Sequence, residues 1–159
     1  YATGKNGDAN KGKGSSGIGF AEMGGFFADH GLGDGSKMVL FIDTSGSMNA
    51  VSHEVNNYVS ARFKKSVTSH IKGCAINSLN CPVLTAFRNQ KFRKERDQYF
   101  FICDLHDSVT NSGIRELRRI LTDTEHPKTL HVISFGYSPT LSLLNLVQET
   151  GGTITVTSK

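Results

Sequence analysis

The sequence predicts an α/β fold, a Rossmann-like open and mainly parallel sheet with helices on both faces, preceded by a glycine-rich N-terminal arm. Apolar runs too short for helices recur along the chain and are bounded by turn-forming residues. Segments with helical apolar spacing lie between these runs. Such alternation predicts βαβ units with right-handed crossovers, and therefore a parallel sheet covered by helices.

The composition restricts the class of protein and the number of domains. The chain has 159 residues, of which 37% are hydrophobic and 20% charged, which fits one globular domain and excludes a disordered polyelectrolyte. The longest apolar runs are far too short to cross a bilayer, so we expect no transmembrane segment. Because 11 of the 17 glycines lie in the first 36 residues, we expect an arm at 1–36, with a candidate edge strand near 24–29, and a domain at 37–159.

The elements follow in order from the start of the domain. KMVLFID predicts a buried strand, and apolar residues at every fourth position from Val51 to Ile71 predict a long helix that Gly73 ends. CPVLTAF is compatible with a short strand, and RNQKFRKERD with a basic helix or loop. YFFICD predicts a second buried strand, SGIRELRRIL a helix, and TLHVISFG a third strand. SPTLSLLNLVQET predicts a helix, and TITVT a last strand.

Two of the apolar strands are followed directly by aspartates. Asp43 ends KMVLFID and Asp104 ends YFFICD, so both should project from the carboxyl edge of the sheet, where α/β proteins bind ligands. Ser45 and Ser47 follow Asp43 at alternating positions, and Gly46 allows a tight loop. Two carboxylates and two hydroxyls form an all-oxygen ligand set of the kind that a hard divalent cation prefers.

With this loop, FIDTSGSM, the sequence resembles the metal-ion-dependent adhesion site (MIDAS) of von Willebrand factor A (vWA) domains, whose pattern is Asp-x-Ser-x-Ser after the first strand. The resemblance runs from about Lys37 to the C-terminus. It implies that Asp43, Ser45 and Ser47 bind the metal and that Asp104 is the later aspartate of the family. That aspartate is usually followed by glycine, whereas the sequence here is DLHDS, so Asp107 competes for the role. Thr85 is the best candidate for the family's threonine ligand.

The resemblance also implies a function. It predicts a metal-dependent protein-binding or adhesion module that uses Mg²⁺, or Mn²⁺ or Ca²⁺, to bind an acidic group on a partner protein, outside the cell, at its surface or in the periplasm. The sequence contains no GxSxG motif and no zinc-ligand spacing, and we expect no enzyme. The alternative is a subunit of an extracellular filament or coat, in which the arm links neighbouring copies of the chain.

Cysteines and basic residues suggest two further features. Cys74 and Cys81 are spaced to close a small disulfide loop, which would indicate an oxidising compartment, whereas three free thiols would fit a cytosolic protein. Residues 62–96 hold nine basic side chains and one acid, a net charge of +8. Such a strip is typical of a solvated face, and a weaker alternative is contact with nucleic acid or another anionic partner. The candidate contacts are Arg88, Lys91, Arg93, Lys94 and Arg96.

Overall fold

The computed structural model describes residues 36–62 and 65–156. The predicted arm up to residue 35, including its edge strand near 24–29, lies outside the described residues. In the described part, five strands form one all-parallel sheet in the order β2-β1-β3-β4-β5, which confirms the predicted α/β class. The strands are β1 (Met38–Asp43), β2 (Val67–Ile71), β3 (Gln98–Cys103), β4 (Thr129–Ser134) and β5 (Ile154–Val156).

Among the described residues, four α-helices and one short 3-10 helix connect these strands. The 3-10 helix (Gly46–Val51) continues into α1 (Ser52–Arg62), and the other helices are α2 (Pro82–Asn89), α3 (Asn111–Leu121) and α4 (Leu141–Glu149). Their starts follow from local chemistry. Pro82 occupies the first turn of α2. The Thr110 hydroxyl accepts the Gly113 N–H at 3.1 Å to cap α3, and the Thr140 hydroxyl caps α4 by accepting the Leu143 N–H.

The helices cover both faces of the sheet because of the strand order. The β1-to-β2 crossover runs one way along the sheet, and the following three crossovers run the other way. Right-handed crossovers in opposite directions lie on opposite faces. Accordingly, the 3-10 helix and α1 pack on a core that contains Leu40 and Ile42 of β1, whereas α2, α3 and α4 pack on the core that contains Val39 and Phe41.

The region from Val51 to Ile71 corrects one expectation. The predicted helix ends at Arg62, and Val67–Ile71 forms the edge strand β2 beside β1. Within β2, Val67, Ser69 and Ile71 are more buried than Thr68 and His70, as expected for a two-residue period. Apolar residues four positions apart fit a strand as well as a helix, because four is a multiple of the strand period.

The expectation of a short strand at CPVLTAF is also wrong, because this segment forms most of α2. Its apolar residues Val83, Leu84 and Phe87 are buried, with the three- and four-residue spacing of a helix face. The Phe87 ring lies 4.2 Å from the Phe41 ring and 5.2 Å from the Tyr99 ring, measured between ring centres. The basic segment that follows α2 forms turns.

Candidate metal centre

The candidate centre lies where the strand order changes direction. Chain progression leaves β1 toward β2 on one side and continues through β3, β4 and β5 on the other. The carboxyl ends of β1 and β3 therefore border the crevice in which open α/β sheets bind ligands. Asp43 is the last residue of β1, and Asp104 follows β3 directly. The structure thus brings these two sequence-predicted residues to one place.

The loop after β1 holds the Asp43 carboxylate in a fixed orientation. The Ser45 N–H donates to Asp43 Oδ1 at 2.8 Å. Both the N–H and the hydroxyl of Thr44 donate to the carbonyl of Ile71, at 2.7 and 3.1 Å, which ties the loop to the end of β2. The hydroxyls of Ser45 and Ser47 lie 3.3 Å apart. The predicted Asp-x-Ser-x-Ser loop therefore places two hydroxyls side by side in the loop that anchors the Asp43 carboxylate.

The second oxygen of Asp43 has no such anchor. Asp43 is only 1% exposed, and among the side chains that the structure describes, its Oδ2 is the one buried nitrogen or oxygen that lacks a hydrogen-bond partner. An unsatisfied buried oxygen is costly, and a carboxylate oxygen more so. An ordered water molecule or a bound ion is the usual partner of such an atom.

Cys74 is the third member of the centre, whereas the sequence predicted a disulfide for it. It follows Gly73, which has a φ of +136° that favours glycine, in the loop after β2. Its N–H donates to Asp107 Oδ2 at 3.1 Å, and its Sγ lies 3.5 Å from Asp104 Oδ1 and 3.6 Å from Asp107 Oδ2. The sequence pattern predicts a helix through Ile71, so it gives no reason to put Cys74 at the carboxyl edge of the sheet. Because Val67–Ile71 is a strand, a residue just beyond it lies at that edge.

Asp43, Cys74 and Asp104 together can hold a metal ion. All three are buried, and each offers a ligand atom within 4.8 Å of the others. Asp107 is exposed and accepts the Cys74 N–H, whereas Asp104 is buried and belongs to the group of three. Thr85 lies in the first half of α2, where its N–H donates to the Cys81 carbonyl. The loop after β2 supplies a thiol to the centre.

The predicted disulfide between Cys74 and Cys81 is wrong. Cys74, Cys81 and Cys103 are all free and buried, so the Cys74–Cys81 bridge is not formed. The Cys74 thiol faces Asp104 and Asp107, whereas Cys81 precedes α2 as its N-cap residue. Burial raises the pKa of the Cys74 thiol to about 12, and the nearby carboxylates raise it as well. In the absence of a metal, Cys74 is therefore a neutral hydrogen-bond donor.

The loop after Asp104 has a left-handed residue. Leu105 has a φ of +54°, the sole positive φ at a non-glycine residue in the described part of the chain. The turn lets the His106 N–H donate to Asp104 Oδ1 at 3.1 Å, while the Tyr137 N–H donates to the Asp104 carbonyl at 2.9 Å. Leu105 therefore adopts the backbone conformation that glycine adopts most easily, at the position where the vWA resemblance expects glycine.

An aromatic pair lies beside the Asp104 loop. The rings of His106 and Tyr137 stack with their centres 5.6 Å apart, and Tyr137 is 58% exposed. Leu141, at the start of α4, is exposed as well. His106 and Tyr137 therefore form an accessible rim beside Asp104. Exposed tyrosine is enriched in protein interfaces.

Much of the predicted basic strip is used within the domain. Arg88 pairs with Glu116 at 3.5 Å, and Lys91 pairs with Asp123. Arg96 donates to the carbonyls of Met38 and Lys65.

The other members of the strip differ in accessibility. Arg93 donates to Gln90 and lies 4.7 Å from the centre of the exposed Phe92 ring, and Lys94 is exposed. Aromatic side chains within a basic strip can stack on nucleic-acid bases, but Phe87, which directly precedes Arg88, is fully buried and cannot do so. Contact between this strip and nucleic acid stays a prediction, with fewer free side chains to make it.

No helix among the described residues has the length and apolar character needed to cross a membrane. Comparisons with protein-family models, with curated proteins and with solved structures find no match to this chain. The candidate centre is therefore defined by the geometry of Asp43, Cys74 and Asp104 in this chain.

Proposed function

We propose that this chain is a metal-dependent protein-binding module of the vWA type, in which a divalent cation links the domain to an acidic group on a partner protein. The observation that carries the proposal is the buried Asp43 Oδ2, which lacks a hydrogen-bond partner at the carboxyl edge of the sheet. A cation would satisfy this oxygen directly. We propose binding rather than catalysis, at a location outside the cell, at its surface or in the periplasm. This location rests on the resemblance alone, because the three cysteines are free and form no disulfide that would indicate an oxidising compartment.

Several features support this assignment of roles. The carboxylates of Asp43 and Asp104 lie at the carboxyl ends of the adjacent strands β1 and β3 and would hold the ion. The hydroxyls of Ser45 and Ser47 lie in the same loop and would add ligands or hold water. Mg²⁺, as the resemblance implies, or another divalent ion would leave coordination positions open toward solvent. A carboxylate from a partner protein would fill one of them.

The surroundings of the centre also fit protein recognition. Left-handed backbone at Leu105 costs about 1–2 kcal/mol, and such strain concentrates at functional sites. The exposed rim of His106 and Tyr137 would contact side chains next to the partner's carboxylate. The metal would then supply specificity for an acid, and the rim would supply contact area.

The proposal can be tested without a known partner. A displayed library of random peptides would be selected on the immobilised protein in the presence of divalent ions. We expect enriched peptides to contain aspartate or glutamate, to dissociate on addition of a chelator, and to lose binding to Asp43→Asn.

Glu125→Gln is the matched control, because it also removes one negative charge but lies in the loop before β4, at the opposite edge of the sheet. This variant should bind the peptides normally. Peptides that bind equally well with chelator and to Asp43→Asn would overturn the proposal.

A further inference from the structure

We infer that the centre prefers a thiophilic ion, with Zn²⁺ as the best fit, bound by Asp43, Cys74 and Asp104 with a fourth position open. This inference rests on the proposed function for the use of Asp43 and Asp104. It departs from the hard, all-oxygen ion that the sequence predicts. The difference comes from Cys74, whose Sγ lies within 4.8 Å of both carboxylate ligand atoms.

The chemistry of the donor set favours zinc over magnesium. Mg²⁺ requires oxygen ligands in near-octahedral geometry and binds sulfur poorly. Zn²⁺ accepts thiolate and carboxylate ligands together in a tetrahedral arrangement. Two carboxylates and one thiolate carry a charge of −3, which a divalent ion partly neutralises. A buried thiol between two buried carboxylates therefore selects for an ion with affinity for sulfur.

The distances are close to those of a zinc site. With Zn–S near 2.3 Å and Zn–O near 2.1 Å, tetrahedral geometry separates sulfur and oxygen ligands by about 3.6 Å. Cys74 Sγ and Asp104 Oδ1 are already 3.5 Å apart. The remaining ligand atoms lie within 4.8 Å, so side-chain movements of about 1 Å complete the arrangement.

Asp43 provides an independent reason to place an ion here. Its Oδ2 is buried without a hydrogen-bond partner, while its Oδ1 is held by the Ser45 N–H. The other two ligands are oriented in the same manner. The His106 N–H donates to Asp104 Oδ1, and Asp107 Oδ2 accepts the Cys74 N–H. Backbone and carboxylate groups that orient metal ligands in this way are typical of metal sites.

Ion binding exchanges the thiol proton for the metal. The S–H bond of Cys74 breaks, the proton passes to solvent, and the sulfur electron pair forms the bond to Zn²⁺, with no change of oxidation state. Three protein ligands leave the fourth tetrahedral position open, which is the arrangement of zinc sites that bind an external ligand. Water occupies that position until the partner's carboxylate replaces it.

Cobalt substitution tests the inference directly. Co²⁺ replaces Zn²⁺ and is coloured, and a bond to thiolate produces a charge-transfer band in the near ultraviolet. We expect the purified, metal-free protein to bind one Co²⁺ with this band and with the strong visible bands of tetrahedral cobalt. Zn²⁺ should abolish the bands at one equivalent, whereas a large excess of Mg²⁺ should not.

The variants assign the sulfur ligand. Cys74→Ser should lose the charge-transfer band and weaken Co²⁺ binding by about 100-fold, since even the partners that merely orient metal ligands are worth about 10- to 100-fold. Cys81→Ser is the matched control, because it also removes a buried thiol and places a good N-cap residue before α2. It should keep the band.

A second measurement does not depend on the folding of a variant. The ¹¹³Cd NMR shift of the cadmium-loaded wild-type protein should lie downfield of all-oxygen sites, as expected for one sulfur ligand. A shift in the all-oxygen range, or cobalt binding without a thiolate band, would overturn the inference and leave the proposed function intact if Asp43→Asn still abolished binding. Failure to bind Co²⁺, Zn²⁺ or Mg²⁺ at all would overturn both.

Discussion

Replacement of Asp43 by asparagine should stabilise the metal-free protein. The amide oxygen of the new side chain would keep the hydrogen bond from the Ser45 N–H, and its amide nitrogen would donate to Asp104 or Cys74, whose ligand atoms lie within 4.8 Å. A buried polar group without a partner costs about 1–3 kcal/mol. Partial relief of that cost should raise the free energy of unfolding by about 1–2 kcal/mol, and Tm by about 2–8 °C for a chain of this size.

Urea denaturation in the presence of a chelator measures this change, with the same experiment repeated in Zn²⁺. At a concentration 100 times Kd, an ion that binds only the folded state adds about 2.7 kcal/mol to the wild type. The wild type should therefore be less stable than Asp43→Asn without metal and more stable with it. Glu125→Gln should follow the wild type within about 0.5 kcal/mol in both conditions.

A loss of more than about 1 kcal/mol in metal-free Asp43→Asn would refute this reasoning. That result would mean that the Asp43 carboxylate is satisfied in the folded protein and that its role is structural. The unpartnered Oδ2 would then carry no information about an ion.

Two further changes test the surroundings of the centre, and a third tests an ion pair at the opposite edge of the sheet. In urea denaturation, Leu105→Gly should be more stable than Leu105→Ala by about 1 kcal/mol, because alanine keeps the cost of the left-handed backbone. The reverse order would exclude a left-handed backbone at residue 105. Gly136→Ala should destabilise the domain and weaken ion binding, measured by calorimetry, since the added Cβ would lie 2.6 Å from the Asp104 carbonyl oxygen. Gly46→Ala, with nothing within 4 Å of its Cβ, should leave stability unchanged. The hydrogen bond from Lys91 lowers the pKa of Asp123 to about 2 in the folded protein. The difference in unfolding free energy between wild type and Asp123→Asn should therefore be complete above pH 4 and shrink as the pH falls toward 2. A difference that does not change with pH would contradict the pairing.

The sequence was most informative where burial is complete on both sides of a strand. β1 and β3 are central strands of a parallel sheet, and such strands are continuous apolar runs. Asp43 and Asp104 stand out because each interrupts a run at its carboxyl end. Both the strand and the candidate metal ligand at its end could therefore be predicted without any long-range information.

The edge strand β2 was harder to recognise because only one side of it is paired. Thr68 and His70 are exposed and Ile71 is buried, so the apolar signal in β2 is weak and also fits a helix. Cys74 was missed as a consequence. Its role depends on the contact with Asp104, 30 residues away, and no local pattern contains that contact. The group that a cysteine thiol contacts is decided by the tertiary structure.

The strand order also has a consequence for biosynthesis. β1 pairs with β3 on one side. Val39, for example, pairs with Tyr99, which is translated about 60 residues later. At about 5–20 residues per second, one edge of MVLFID lacks its neighbour for about 3–12 s after synthesis. An apolar central strand with an open edge is a site for incorrect pairing between nascent chains. Incorrect pairing during synthesis is therefore a route to loss of this protein that the stability of the finished domain does not govern.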